Sequence, residues 1–244
     1  MAETRPTLDT GERSIFSRMG ELRVFLEMGS MVPALPALMQ APRGDGHAVL
    51  VLPGMLAGDG STLVLRRYLS ALGYQVHPWK LGRNWGPSRE IRQGIRDRFK
   101  ELSNRYQRRM SLVGWSLGGI YAREIARENP ALVRQVITLG SPFGAGYRVD
   151  GEVDAALGER LRKAPPVPCT SIYTKTDGVV PWEACLEEEG PQTDNIEVQA
   201  THIGMGVNPL VLWAIADRLA QPEGAWRHFD RSGVKSLFFP GDRT

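Results

Sequence analysis

A serine between glycines is the residue best suited to nucleophilic chemistry in this chain of 244 residues. It is Ser116, in the segment Gly114-Trp115-Ser116-Leu117-Gly118, which follows a short apolar run and precedes an amphipathic stretch. A strand, a sharp turn and a helix in this order can expose a hydroxyl, although an ordinary tight glycine turn is the alternative interpretation. Because a serine hydroxyl is a poor nucleophile until a base accepts its proton, the catalytic interpretation requires a histidine and an acid further along.

His202 is the best-placed base among the four histidines. It lies in a glycine-containing loop after the predicted strand 196–199 and before the last predicted helix. The other three histidines are interpreted as structural or surface residues. His77 falls inside a predicted strand, His47 lies at the starting end of another, and His228 lies in the C-terminal tail.

Asp177 is the matching acid, since it follows the predicted strand 169–173 and would orient and stabilise the imidazole. The Asp177-Gly178 pair is also a common turn sequence, which is the alternative interpretation. Asp150 and Asp194 are the fallback acids, but neither directly follows a predicted strand.

Short apolar runs alternate with amphipathic segments along the chain, which predicts an α/β fold. The predicted strands are 48–52, 74–79, 110–114, 135–139, 169–173 and 196–199, and the predicted helices are 61–72, 89–106, 117–128 and one from Pro209. Such alternation is typical of a mostly parallel central sheet, here of about six strands, with helices on both faces. Because the carboxyl ends of parallel strands meet at one edge, Ser116, Asp177 and His202 are predicted to converge there.

The chain divides into three parts. Residues 1–46 are predicted to be an N-terminal helical extension that belongs to the same unit, residues 47–220 the α/β domain, and residues 221–244 a C-terminal tail. An apolar helical stripe over 15–28 is expected to pack against the main core. A flap over a lipid-like substrate and a membrane-facing helix are the alternatives.

The order Ser116, Asp177, His202 is the order found in α/β-hydrolases. Residues 47 to about 219 resemble that superfamily, and the Gly-Trp-Ser-Leu-Gly-Gly run resembles its serine carboxylesterases and lipases. The resemblance implies ester hydrolysis through an acyl-enzyme, without a cofactor or metal, and only a minimal cap over 141–168. The oxyanion hole is predicted at the NH of Leu117 and, by resemblance, at the NH of Met55 in the loop 52–56, where Pro53 replaces a histidine common in relatives.

The predicted substrate is a small-molecule ester with a small to medium acyl group or a lipid-like one. Five side chains near the predicted site are candidates for an apolar substrate pocket: Trp115, Phe143, Tyr147, Trp182 and Met205. Aromatic residues that merely pack the loops are the alternative. A thioesterase, an amidase or an acyltransferase on the same triad, and a noncatalytic binding or scaffold protein, remain as other functions.

Charge, cysteine content and the start of the chain give weaker indications about partners and location. The net charge is only +3, and the arginines of 83–109 lie opposite an apolar stripe, which favours a solvated helix face over a nucleic-acid or other anion site. No nucleic-acid partner is therefore predicted, and membrane contact through the N-terminal segment is the less favoured alternative. Cys169 and Cys185 are expected to be free thiols, with one disulfide as the rival, and the polar start of the chain predicts a cytoplasmic protein.

Overall fold

The computed structural model describes residues 26–27, 29–144, 148–149, 152–153 and 155–241. Its strands are β1 (Ala48–Leu52), β2 (Gln75–Pro78), β3 (Met110–Trp115), β4 (Val133–Leu139), β5 (Arg148–Val149), β6 (Glu152–Val153), β7 (Cys169–Tyr173) and β8 (Thr193–Glu197). Six of them form one parallel sheet in the order β2-β1-β3-β4-β7-β8, while β5 and β6 form a separate antiparallel pair. The predicted α/β fold, with its parallel central sheet, is therefore confirmed.

The helices are α1 (residues 29–39), α2 (Leu63–Ala71), α3 (Arg89–Tyr106), α4 (Leu117–Glu128), α5 (Ala155–Arg162) and α6 (Pro209–Leu219). Helix α3 buries the apolar stripe that the sequence predicts, including Ile95 and Phe99, beneath an arginine-rich outer face. Asn208 caps α6 by accepting hydrogen bonds from the first turn, and Pro209 occupies a position whose missing NH costs the helix nothing.

The sheet is buried on both faces because its strands alternate between two cores. Along β1, Val49 and Val51 belong to a core with α2 and α6, whereas Leu50 and Leu52 belong to a core with α3 and α4. A strand with two buried faces must be apolar throughout, which explains the continuous run at 48–52.

The predicted last strand, 196–199, was wrong in its bounds, because β8 spans Thr193–Glu197. Strand β8 lies at the edge of the sheet and alternates buried with half-buried residues, so polar side chains at Thr193 and Asn195 are tolerated. The apolar pattern alone therefore missed its first residues.

The extension and the tail both contact the domain. Helix α1 packs Leu38 and, partly, Met31 against the first core, and Phe229 and Phe239 of the tail pack against Trp213 of α6. The predicted helical stripe over 15–28 lies outside the described residues, except for residues 26–27. Among the helices that are described, none is both long and apolar enough to cross a membrane.

Candidate active site

Ser116 occupies a strained turn between β3 and α4. Its backbone has φ 52° and ψ −122°, a combination that costs an ordinary residue about 1–3 kcal/mol. The Ser116 NH donates to the carbonyl of Leu139 on β4 at 2.8 Å, which ties the turn to the neighbouring strand. A strained serine that is only half-buried, at the carboxyl end of a central strand, is the arrangement in which a nucleophile is exposed to substrate.

Close packing of α4 makes this turn possible. A Cβ added at Gly118 would lie 2.3 Å from the carbonyl oxygen of Leu52, a separation that no real side chain could adopt. Glycine at this position therefore lets the first turn of α4 lie directly against the end of β1, where the predicted oxyanion loop begins.

Asp177 and His202 are joined by a hydrogen bond of 2.6 Å between Oδ2 and Nδ1. The other carboxylate oxygen, Oδ1, accepts from the NH groups of Val179 and Val180, each at 2.8 Å. The side chain of Asp177 is only 2% exposed and that of His202 is 10% exposed, so the bond is protected from water. Because Nδ1 is bound to Asp177, Nε2 is the ring nitrogen left to act on a substrate or a nucleophile.

Two glycines and one indole show that these groups share one end of the sheet. A Cβ at Gly140, at the end of β4, would lie 3.2 Å from both Asp177 Oδ2 and His202 Nδ1. A Cβ at Gly54 would lie 3.2 Å from the Cβ of Ser116. Trp115, the residue before Ser116, donates its indole NH to the carbonyl of His202 at 3.0 Å.

The predicted oxyanion donors flank Ser116. Met55 lies in the loop that begins beside Ser116, and Leu117 is the first residue of α4. No hydrogen bond between described residues uses the NH of Met55 or that of Leu117. Leu117 directly follows Ser116, and Met55 directly follows Gly54, which lies beside Ser116. Oxyanion donors need NH groups that are not used within the fold, and their role here stays a prediction.

Asn84 holds the Met55 loop, and sequence reasoning missed it. Its fully buried side chain donates from Nδ2 to the carbonyl of Pro53 at 3.0 Å and accepts at Oδ1 from the NH of Gly86 at 3.2 Å. Its backbone accepts from the NH of Leu56, a residue strained at φ 62°. The only signal in the sequence was an amide between the turn residues Gly82 and Gly86, and this does not reveal its partner.

The five predicted pocket residues do not share one exposed wall. Trp115, Phe143 and Met205 are buried and present almost no surface to solvent, so their contact with substrate stays a prediction. Phe143 lies between Ile120 and Leu161, with the guanidinium of Arg123 3.8 Å from its ring centroid.

The remaining two candidates differ from those three. Trp182 is half-buried and stacks on Tyr173 at 5.8 Å between ring centroids, so part of its surface faces solvent. Tyr147 lies outside the described residues.

A second serine, histidine and aspartate make contact at the opposite end of the sheet. His47 contacts Asp45 at 2.5 Å through Nδ1 and Ser111 at 2.8 Å through Nε2. Burial lowers the pKa of His47, with a smaller opposing effect from its bond to Asp45. Ser111 is fully buried within β3, so this cluster offers no access to a substrate and is structural.

The two cysteines are free and buried, and burial raises the pKa of Cys185 to about 12. A thiol with so high a pKa is a poor nucleophile at neutral pH. Among the described residues, no cluster of three His, Cys, Asp or Glu side chains could hold a metal ion.

Comparison with known proteins gives similarity in structure only. No family model matches the chain, and no curated protein matches it in sequence. One of the metagenome-derived lipolytic enzymes LipS and LipT superposes with a TM-score of 0.56 at 16% identity, over 72% of this chain and 94% of that one. A pyrethroid hydrolase from Sphingobium faniae JZ-2 gives 0.55 at 19% identity, over 72% and 98% of the two chains.

A thioesterase domain from the curacin biosynthetic pathway gives a TM-score of 0.50 at 15% identity, over 73% of this chain and 91% of that one. Identities this low are informative about the fold and not about the activity. With a parallel six-stranded sheet and a serine turn after β3, the chain has the fold of the α/β-hydrolase superfamily.

Proposed function

We propose that the chain is a serine hydrolase that cleaves carboxylic esters through Ser116, His202 and Asp177. The observation that carries the proposal is the strained turn at Ser116, at the same sheet edge as the buried Asp177–His202 hydrogen bond. Backbone strain lowers stability and is found mainly at functional sites, so strain at a serine favours a catalytic role for it. The lipolytic and ester-cleaving neighbours support the same chemistry by analogy.

In the proposed reaction Ser116 Oγ attacks the ester carbonyl carbon while Nε2 of His202 takes the hydroxyl proton. Asp177 keeps the proton on Nδ1 and stabilises the resulting imidazolium. The NH groups of Met55 and Leu117 bind the oxygen that becomes negative. His202 then gives its proton to the departing alkoxide, and a water molecule, activated by the same ring, releases the acid from Ser116.

Exposed apolar side chains around the site support apolar substrates. Met55 and Leu56 in the oxyanion loop are more than half exposed, and so are Val179, Ile203 and Trp85 on the adjoining loops. Large exposed apolar groups gathered near one site are typical of a surface that binds an apolar ligand. We therefore expect esters with medium or lipid-like acyl groups to be turned over faster than acetates.

The test is turnover of p-nitrophenyl esters of increasing acyl length, with Ser116→Ala as the key variant. We expect esterase activity in the unchanged protein and a loss of about a thousandfold or more in the variant. A fluorophosphonate should form an adduct on Ser116 of the unchanged protein alone. Full activity of Ser116→Ala would contradict the mechanism, and an absence of both turnover and adduct would favour a noncatalytic binding role.

A thioesterase is the second candidate, favoured by the structural similarity to the curacin pathway thioesterase domain. Matched oxygen esters and thioesters of the same acyl group separate the two, since both pass through the same acyl-enzyme and differ only in the leaving group. The ester assignment would be overturned if kcat/KM for the thioester exceeded kcat/KM for the oxygen ester by more than the ratio of their intrinsic reactivities. Amide substrates and alcohol acceptors, tested alongside, cover an amidase and an acyltransferase.

A further inference from the structure

A carboxylate from the N-terminal extension binds the loop that carries His202. Glu27, which lies in helical backbone just before α1, accepts at Oε1 from the NH of Thr201 at 2.6 Å. Its other oxygen, Oε2, accepts from the hydroxyl of Thr201 at 3.1 Å. One carboxylate therefore binds both donors of the residue next to His202.

The same threonine extends the network across the loop. The hydroxyl of Thr201 accepts from the NH of Gly204 at 3.0 Å, so the loop is bridged on both sides of His202. The carbonyl of His202 itself accepts from Trp115. Thr201, His202 and Gly204 are all buried, so donors left without an acceptor there would be costly.

Gly204 leaves the space that the carboxylate occupies. A Cβ at this position would lie 1.2 Å from Glu27 Oε2 and 2.7 Å from Thr201 Oγ1, so even an alanine methyl group would displace the glutamate or the threonine. The fit between a residue of the extension and a glycine of the histidine loop is therefore specific in shape as well as in hydrogen bonding.

We propose that Glu27 is a positioning residue, through which the N-terminal extension holds the backbone of the His202 loop in its active geometry. The proposal rests on the proposed function. Asp177 orients the imidazole ring of His202 directly, whereas Glu27 binds the main chain of Thr201, one residue before His202. An ionised acceptor makes stronger hydrogen bonds than a neutral one, and proton transfer from Ser116 tolerates only small displacements of Nε2. Residues outside the resembling domain thus contribute to its active site.

The primary test compares Glu27→Ala and Glu27→Gln with a control variant, Glu159→Ala. Glu159 is an exposed glutamate of α5 whose described ion pair is with Lys163. We expect Glu27→Ala to lower kcat about 10- to 100-fold with KM nearly unchanged, and to slow fluorophosphonate labelling of Ser116 by a similar factor. The kcat of Glu27→Gln should lie between those of Glu27→Ala and the unchanged protein, because its amide has one acceptor oxygen for the two donors of Thr201. Glu159→Ala should leave kcat and labelling unchanged.

Gly204→Ala provides a second route to the same displacement without altering Glu27. It should reproduce the loss in kcat, and the double variant with Glu27→Ala should lose much less than the product of the two single losses. Normal kcat and labelling in folded Glu27→Ala, with only a lower unfolding temperature, would overturn the proposal, as would multiplicative losses in the double variant. If the unchanged protein forms no Ser116 adduct, the proposed function itself fails, an outcome distinct from normal labelling in the Glu27 variants.

Discussion

Asn84→Asp should slow ester hydrolysis strongly while leaving KM nearly unchanged. The substitution keeps the size of the side chain but replaces the Nδ2 donor with an oxygen. In the structure that donor lies 3.0 Å from the carbonyl oxygen of Pro53, inside a fully buried site. Aspartate would therefore leave the Pro53 carbonyl unsatisfied or repelled, at a cost of about 1–3 kcal/mol.

This substitution destabilises the loop that carries Met55, because Pro53 belongs to the same loop. In the proposed mechanism, movement of this loop would withdraw the Met55 NH from the reacting oxygen, and loss of one such donor typically costs about 3–4 kcal/mol of barrier. Partial displacement gives less than the full amount, so we expect kcat to fall about 100-fold. KM should change little, because an oxyanion donor acts mainly in the transition state.

The assay is steady-state hydrolysis of a p-nitrophenyl ester, together with urea unfolding to confirm that the variant is folded. Asn104→Asp on the exposed side of α3 is the matched control and should retain normal kcat. If folded Asn84→Asp also keeps a normal kcat, Asn84 does not hold the oxyanion loop or Met55 is not a donor.

Three further predictions concern the hydrogen-bonded carboxylates and histidines. Asp177→Asn should lower kcat by about 10⁴ in the same ester assay without unfolding the protein, because an amide cannot hold His202 in the required tautomer; a loss under tenfold would contradict this. Glu187→Ala should lower the urea unfolding free energy by about 3–5 kcal/mol, because it leaves buried Arg123 without its ion-pair partner. Since burial lowers the pKa of His47 below its ordinary 6.5, the unfolded chain binds this proton more readily. Unfolding free energy should therefore decline below about pH 6.5, and less so in His47→Gln; equal slopes would refute the assignment.

Local patterns were enough to predict most of the fold. Helices α3 and α4 begin and end where the sequence predicts, because apolar periodicity, the serine cap at Ser88 and the proline at Pro130 are local signals. The edge strand β8 was harder, since half-buried positions accept polar residues and the apolar pattern weakens.

The exposure of the predicted pocket residues could not be read from the sequence, for a different reason. Phe143 and Met205 follow strands at the active edge, and chain position alone cannot say whether a side chain faces inward or outward. In the structure both are buried, Phe143 against Ile120 and Met205 beneath Gly140. Substrate contact depends on side-chain direction, which packing decides.

The two serine, histidine and aspartate clusters show the limit most clearly. Spacing and strand order in the sequence were enough to predict that Ser116, Asp177 and His202 lie at one edge of the sheet, because carboxyl ends of parallel strands share an edge. They did not reveal that His47 contacts both Asp45 and Ser111 at the other edge, with the serine buried within β3.

The sequence by itself determined the parallel sheet, the turn at Ser116 and the order of the residues proposed for catalysis, since each depends on neighbours within a few positions or on strand polarity. Tertiary structure alone decided that Asn84 reaches the loop of Met55 and that Glu27 reaches Thr201, 174 positions away. Such contacts arise from the packing of distant segments, and a polar residue carries no local mark of the partner it will bind.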